Sequence, residues 1–337
     1  MLRSIHRGHC LGTACILLSA AALLRCPAET LSTKTLDLSL ENGRIVRMTN
    51  KLTGETMASE PDKGTFSLLW HRRPLHAPLE GMAAQQTASS ACQWTFETDN
   101  QTSGWTSFTP DAGTGDVAVH QGGRSSRPGL YGTVWGLNSV PDSTTTLIIP
   151  GHSGIALGES TASTDLHLSW PTSWEAGMVL LQMEKGGFLI WARDPKLRFK
   201  ALGVNHSHGK INVQFQSHNH APFDGSGETT SVEWVITPYK GDWRVGAEHY
   251  RCWLKTQRPL VPLERQRPAW VKDIRFMAIT GLNTELIAEL ARKVDPTRSV
   301  LYVPNWRKDR YDVNYPDYTA SEQLGPFMVA AHALGFR

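Results

Sequence analysis

Residues 241–280 separate two kinds of sequence, and that break limits what the chain can fold into. Trp243, Ala247, Tyr250 and Leu254 recur at spacings of four, three and four, which is one face of an α-helix. Asp242 stands at the N-cap, where a carboxylate accepts amide hydrogens that the first turn leaves unpaired. Pro259, Pro262 and Pro268 then forbid a continuous helix and predict a stiff, extended crossing. Before this stretch the apolar residues come in short strand-like runs, and after it strand and helix patterns alternate. The expected organisation is a β-sandwich over 29–258 that ends in a linking helix at 242–255. A proline-rich linker follows at 259–268, then a strand–helix part at 269–337.

Residues 1–28 are a separate matter. Arg3 and Arg7 precede an apolar run from Leu11 to Leu24, and Cys26-Pro27-Ala28 offers small residues for cleavage, so an export signal peptide ending at Ala28 is expected. The run is shorter than the about 20 residues a membrane-spanning helix needs. Export would carry the protein to the periplasm, the cell surface or the medium. Three of the chain's 34 Lys and Arg lie in this leader and no acid does, leaving 31 basic residues against 31 acidic ones. A mature chain of zero formal charge gives no reason to expect nucleic acid or an anionic membrane as partner. Cys10, Cys15 and Cys26 leave with the leader; Cys92 and Cys252 remain, and unpaired thiols are favoured over one disulfide.

In the first part Leu36, Leu38 and Leu40 alternate with polar residues, Asn42-Gly43 marks a tight hairpin, and Ile45, Val46 and Met48 resume the strand. Short apolar runs continue to Val232–Ile236, separated by Gly, Pro, Ser and Asn, which predicts a sandwich. Residues 99–127 are polar and glycine-rich and are expected to form a long surface loop. Beyond Pro268, strand 274–280 leads to a helix over 284–293 with an apolar stripe of Leu286, Ile287, Leu290, Ala291 and Val294. A strand at 300–303 and a helix from Pro326 to a C-cap at Gly335 repeat the unit, which implies parallel strands. A (β/α)8 barrel needs about 250 residues, and two parallel strands alone leave open edges. The expectation is the N-terminal part of a longer protein; the alternative is a complete chain with a two-stranded appendage.

Certain residues also carry a family resemblance. They are Asn42-Gly43-Arg44-Ile45 with Leu52-Thr53-Gly54-Glu55, Gly241-Asp242-Trp243, Tyr250-Arg251-Cys252-Trp253-Leu254, and Pro268-Ala269-Trp270-Val271-Lys272-Asp273. Trp306, Asp312, Tyr315-Pro316-Asp317-Tyr318 and Ala331-His332-Ala333-Leu334-Gly335 complete the set. Together they resemble a family of secreted bacterial glycoside-hydrolase-like proteins, largely of unknown function. These join an N-terminal galactose-mutarotase-like β-sandwich to a TIM barrel. The resemblance implies a mostly β fold: that sandwich, followed by the first two βα units of an incomplete (β/α)8 barrel. It implies a carbohydrate partner and no cofactor, with the catalytic carboxylates on later barrel strands that are absent here. The chain by itself is therefore expected not to hydrolyse glycosides.

Residues 305–318 are the most informative chemical stretch. Sugars present apolar C–H faces and rings of hydroxyls, which suit aromatic rings and carboxylates respectively. Trp306, Asp309, Asp312, Tyr315 and Asp317 are the candidate substrate contacts, and a loop packed by its own tyrosines is the competing view. A calcium site of Asp309, Asp312, Asn314 and Asp317 lacks the regular alternation and closing glutamate of a calcium loop, and no metal is expected. His206, His208, His218 and His220 suggest zinc. With the turn at Gly209-Lys210, however, His206 and His218 fall about 16 Å apart at the usual strand rise. Trp170 and Trp174 are either core residues or a stacking pair for a glycan. The function expected is that of an exported glycoside hydrolase working through two carboxylates. The alternatives are a non-catalytic carbohydrate-binding or adhesion module, and a sugar epimerase using His208 with Glu228 or Glu233.

Overall fold

The computed structural model describes residues 29–60, 66–71, 77–78, 82–87, 91–98, 102–257, 261, 263–309 and 313–337. The expected leader lies outside the described residues. The chain forms two compact units, Met1–Arg258 and Pro259–Arg337.

The first unit is a sandwich of antiparallel strands. Its largest sheet runs in the order Ile155–Leu157, Thr146–Ile149, Met178–Gln182, Gly186–Ala192, Trp234–Lys240, Val117–Ser125, Thr102–Pro110, Ala91–Thr98 and Met82–Thr87, and Glu228–Thr230 also pairs with Val117–Ser125. A second sheet orders Thr164–Trp170, Lys200–Ser207, Lys210–His218, Leu130–Pro141, Phe66–Trp70 and Ala77–Pro78. A smaller one orders Glu29–Ser32, Leu36–Glu41, Arg44–Asn50 and Glu55–Ala58. All three contribute to one core, which joins Leu38 and Met48, Trp135 and Phe215, and Phe188 and Trp234. The expected hairpin is present: Asn42 and Gly43 take φ of 50° and 69°, the left-handed pair that a two-residue turn requires.

Strand Gly186–Ala192 is buried at every position. Phe188, Ile190 and Ala192 enter the main core, while Leu189 and Trp191 face the other way into a second cluster. Helix Trp243–Gln257 covers that outer face with Ala247, Tyr250 and Trp253. Asp242 caps it, accepting the Arg244 N–H at 2.9 Å. The buried stripe is rotated from the expected one: Trp243 is 38% exposed, and Trp253 instead meets Trp191 at 5.2 Å. Gly246 explains the shift, because a Cβ there would lie 2.6 Å from Leu180 Cδ2, so only glycine lets the helix sit this close.

Two further expectations are corrected. Residues 99–127 are not a long loop; Thr102–Pro110 and Val117–Ser125 pair along their length. Their glycines make room for rings, since a Cβ at Gly104 would meet Phe96 and one at Gly122 would meet Trp105. The histidine hairpin turns at His208-Gly209, with Ser207 opposite Lys210 and His206 opposite Ile211. Its loop is two left-handed residues at φ 52° and 75°, which a Gly-Lys turn could not supply. His206 and His218 are then about seven strand positions apart, on the order of 23 Å.

The second unit holds a parallel pair, Phe276–Ile279 with Ser299–Tyr302. Asn283 caps helix Thr284–Ala291 by accepting the Leu286 N–H, and Gly335 closes helix Leu324–Leu334 in the left-handed conformation at φ 94°. The helices meet through Ile287, Phe327 and Ala331, joined by Phe336. Of the expected stripe, Ile287 is fully buried but Leu286 is 51% exposed.

Candidate functional site

The loop after strand Ser299–Tyr302 is pinched at its base. Ser321 N–H donates to the Trp306 carbonyl at 3.0 Å and Lys308 N–H to the Thr319 carbonyl at 2.9 Å, around an antiparallel bridge between Arg307 and Ala320. Only one side chain at this neck is buried: Arg307, 6% exposed. Its guanidinium lies 4.5 Å from the Tyr315 ring and 5.5 Å from the Tyr318 ring, and its Nη2 donates to the Tyr315 hydroxyl at 3.2 Å. The two rings meet edge-on at 5.9 Å. A delocalised, weakly hydrated cation is well suited to lie against aromatic faces. Tyr315 and Tyr318 nevertheless remain 55% and 59% exposed, so they present open ring surface.

The carboxylates are held by the same loop. Asp309 Oδ2 accepts from Asn314 Nδ2 at 3.1 Å, and Asn314 takes a left-handed φ of 51°. Asp317 Oδ1 accepts from Thr319 Oγ1 at 2.6 Å and from Thr319 N–H at 2.9 Å. Those two bonds hold the Asp317 carboxyl below its ordinary range, so it is a standing acceptor and a poor proton donor. Asp309, Tyr315 and Asp317 thus belong to one small loop with Trp306 at its neck, while Asp312 lies outside the described residues. Sequence reasoning missed Arg307, whose partners are set by folding and not by spacing.

In the sandwich, Trp174 is fully buried and stacks on Trp234 at 6.3 Å. Trp170 instead lies beneath the Lys200 ammonium, 3.9 Å from its ring. A histidine–glutamate pair does form, but not with His208: Glu233 Oε2 is 3.5 Å from His120 Nε2, and its other oxygen is bonded by Arg193 Nε. His120, then Arg193, hold the Glu233 carboxyl below its usual range. Glu228 pairs with Arg124 at 3.2 Å. Cys92 is buried, Cys252 is exposed, and both are free thiols.

The unit also carries a cleft of about 930 Å³, bordered by Glu55, the turn at 142–146, Gly158–Thr161 and the turn at 182–184. Asp142 at its rim reaches His206 Nε2 at 2.9 Å, and His206 Nδ1 faces the Ala162 carbonyl at 3.2 Å. The run Asp142-Ser143-Thr144-Thr145-Thr146 was visible in the sequence as a hydroxyl-rich stretch, but nothing there showed that it edges a cavity.

Comparison with known proteins bears on this architecture. A family profile described as a domain of unknown function, DUF6259, matches residues 229–331. No curated protein sequence matches the chain. Among solved structures, the α-N-acetylgalactosaminidase NagBb from Bifidobacterium bifidum, in complex with GalNAc, matches at 12% identity with a TM-score of 0.68, covering 91% of this chain and 58% of that one. The ligand-free form of the same enzyme gives 12% identity and a TM-score of 0.66 over the same shares. A galactose mutarotase-like protein from Lactobacillus casei covers 64% of this chain and 100% of its own at 9% identity, with a TM-score of 0.38. At 12% identity the first likeness is one of fold: over 91% of its length the chain shares its architecture with a glycoside hydrolase and spans 58% of that enzyme.

Proposed function

We propose that this chain is part of an exported glycoside hydrolase in which the loop at 305–318 contacts the sugar. The observation that carries the proposal is the shared fold with an α-N-acetylgalactosaminidase over 91% of the chain. In the proposal the parallel pair Phe276–Ile279 and Ser299–Tyr302 opens a barrel, and the loop lies on the face where barrel enzymes bind substrate. Tyr315 stacks on the apolar face of a sugar ring, and Asp309 and Asp317 accept hydroxyl protons at its edge. Trp306 and Asp312 complete the contact set.

Hydrolysis requires two carboxyls about 5–5.5 Å apart for retention or about 6.5–9.5 Å for inversion, one of them able to give a proton. Asp317 is tied to Thr319 and held ionised, so it serves binding, and Asp309 is engaged by Asn314. Neither is assigned as acid or nucleophile. That engagement favours a second reading, a carbohydrate-binding module without hydrolysis.

Titration calorimetry of the chain from Glu29 onward with N-acetylgalactosamine and oligosaccharides that carry it tests the proposal. Binding should weaken about tenfold in Tyr315→Ala, since one stacked ring is worth on the order of 1 kcal/mol beyond its buried area. Unchanged affinity in that variant, or no affinity for any glycan in the wild type, would sink the loop assignment. Turnover of the same glycans would decide between hydrolase and binding module. Mature protein from the native host's envelope or medium is expected to begin near Glu29.

A further inference from the structure

Helix Trp243–Gln257 covers only part of the outer face of the largest sheet. It packs chiefly on strands Met178–Gln182, Gly186–Ala192 and Trp234–Lys240. Beyond them, where Thr146–Ile149 and the edge strand Ile155–Leu157 complete the sheet, a pocket of about 440 Å³ remains. That volume falls in the range of about 300–1,000 Å³ typical of small-molecule sites. The lining is apolar at Ile155, Met178, Leu180 and Trp243 and polar at Ser153 and Glu175. Trp243 is 38% exposed, and Ser153 and Glu175 are exposed, so all three have open surface to offer a ligand. The larger cleft has no aromatic side chain in its lining among the described residues.

The pocket is also built in advance. His152, Ser153 and Gly154 run left-handed in succession, at φ of 49°, 70° and 114°, and two of them are not glycine. The loop is held in this form by the Gly154 N–H, which donates to the Gly151 carbonyl at 2.9 Å, and by Glu175. Glu175 Oε1 accepts the Ser153 N–H at 3.2 Å, and its own N–H donates to the Pro150 carbonyl at 2.8 Å. Backbone kept in a costly conformation by its surroundings clusters at ligand sites. Beside Trp243, the Arg244 guanidinium lies 5.1 Å from the ring and is paired with Asp242 at 2.7 Å.

These features select the occupant. An anion would meet Glu175. A cation would meet Arg244 beside the ring it needs to lie on. A wholly apolar molecule would take water from the carboxylate and return no hydrogen bond. A sugar ring has an apolar face for Trp243 and hydroxyls for Glu175 and Ser153. We propose that this pocket binds a short neutral saccharide in that orientation. The site lies in the first unit and is separate from the loop at 305–318.

Galactose, glucose and mannose are the probes, with choline as a cation and cyclohexanol as an apolar ring. Each is titrated calorimetrically into wild type, Trp243→Ala, Glu175→Gln and Tyr315→Ala, and the Trp243 indole N–H resonance is followed by NMR. At least one sugar should bind saturably and shift that resonance, in wild type and in Tyr315→Ala alike. Its affinity should fall about tenfold in Trp243→Ala and about fivefold in Glu175→Gln, which replaces a charged acceptor by a neutral one. Glu175→Gln keeps the shape of an exposed side chain, so a loss there with unchanged thermal unfolding reports the contact and not the fold. A Trp243 resonance that no sugar shifts, or a shift that disappears in Tyr315→Ala, would overturn the proposal. So would unchanged affinity in either pocket variant, or choline or cyclohexanol binding as tightly as the best sugar.

Discussion

Strands Gly186–Ala192 and Phe276–Ile279 are both apolar runs, yet the first is buried at all seven positions and the second at none. The first lies inside a sheet whose two faces are covered, one by the opposing sheet and one by helix Trp243–Gln257. The second has a single parallel partner and leaves Met277 63% and Ile279 70% exposed. An apolar run therefore specifies a strand but not its cover, and the same hydrophobic signal corresponds to very different stabilities.

The largest test of this contrast is Trp234→Ala against Ile279→Ala. Trp234 is fully buried, packs on Trp174, Trp135 and Phe215, and donates to Ser217 Oγ at 3.1 Å. Its removal should cost about 3–5 kcal/mol in urea unfolding, with the Ser217 hydroxyl left to the Val232 N–H as donor. Ile279→Ala should cost less than about 1 kcal/mol, as surface substitutions do. A core-sized loss at Ile279 would mean that the strand is covered in solution, and the contrast would fail.

A slightly smaller effect sharpens the sandwich side. Burial, helped by His167, lowers the His218 pKa from 6.5 to about 4, in a setting where Tyr131 and Phe199 each lie 4.9 Å from its ring. Between those values the unfolded chain takes up a proton that the folded one refuses, so stability falls as pH drops from 6.5 to 4. The loss is on the order of 3 kcal/mol. His218→Phe should flatten that slope; an unchanged pH profile would contradict the assignment.

The smallest effect concerns the loop. Arg307→Lys keeps the charge but loses the planar fork between Tyr315 and Tyr318, and should weaken the loop by about 1 kcal/mol without unfolding the sandwich. Faster hydrogen exchange confined to residues 306–319 is the expected signature. Exchange identical to wild type would show that the tyrosines order the loop without it.

What could be read from sequence follows from range. Local signals were dependable: the Asn42-Gly43 turn, the Asp242 and Asn283 caps and the Gly335 C-cap each depend on a few adjacent residues. Signals that depend on distant partners failed. Gly104 and Gly122 resemble loop glycines until Phe96 and Trp105 are found occupying the space above them, and Gly246 rotates a helix face because Leu180 and Tyr239 lie beneath it. The loop at 305–318 was visible as a concentration of aromatic and acidic residues. Its organising cation was not, because Arg307 meets Tyr315 and Tyr318 only once the loop has closed, and the sandwich cleft was not, because it joins residues far apart in the chain.

Hydrogen exchange with and without N-acetylgalactosamine tests the central claim most directly. The sugar should protect peptides spanning residues 303–321, and that protection should vanish in Tyr315→Ala. Protection confined to the sandwich, or persisting in loop peptides of the variant, would contradict the assignment of sugar contact to Trp306, Asp309, Tyr315 and Asp317.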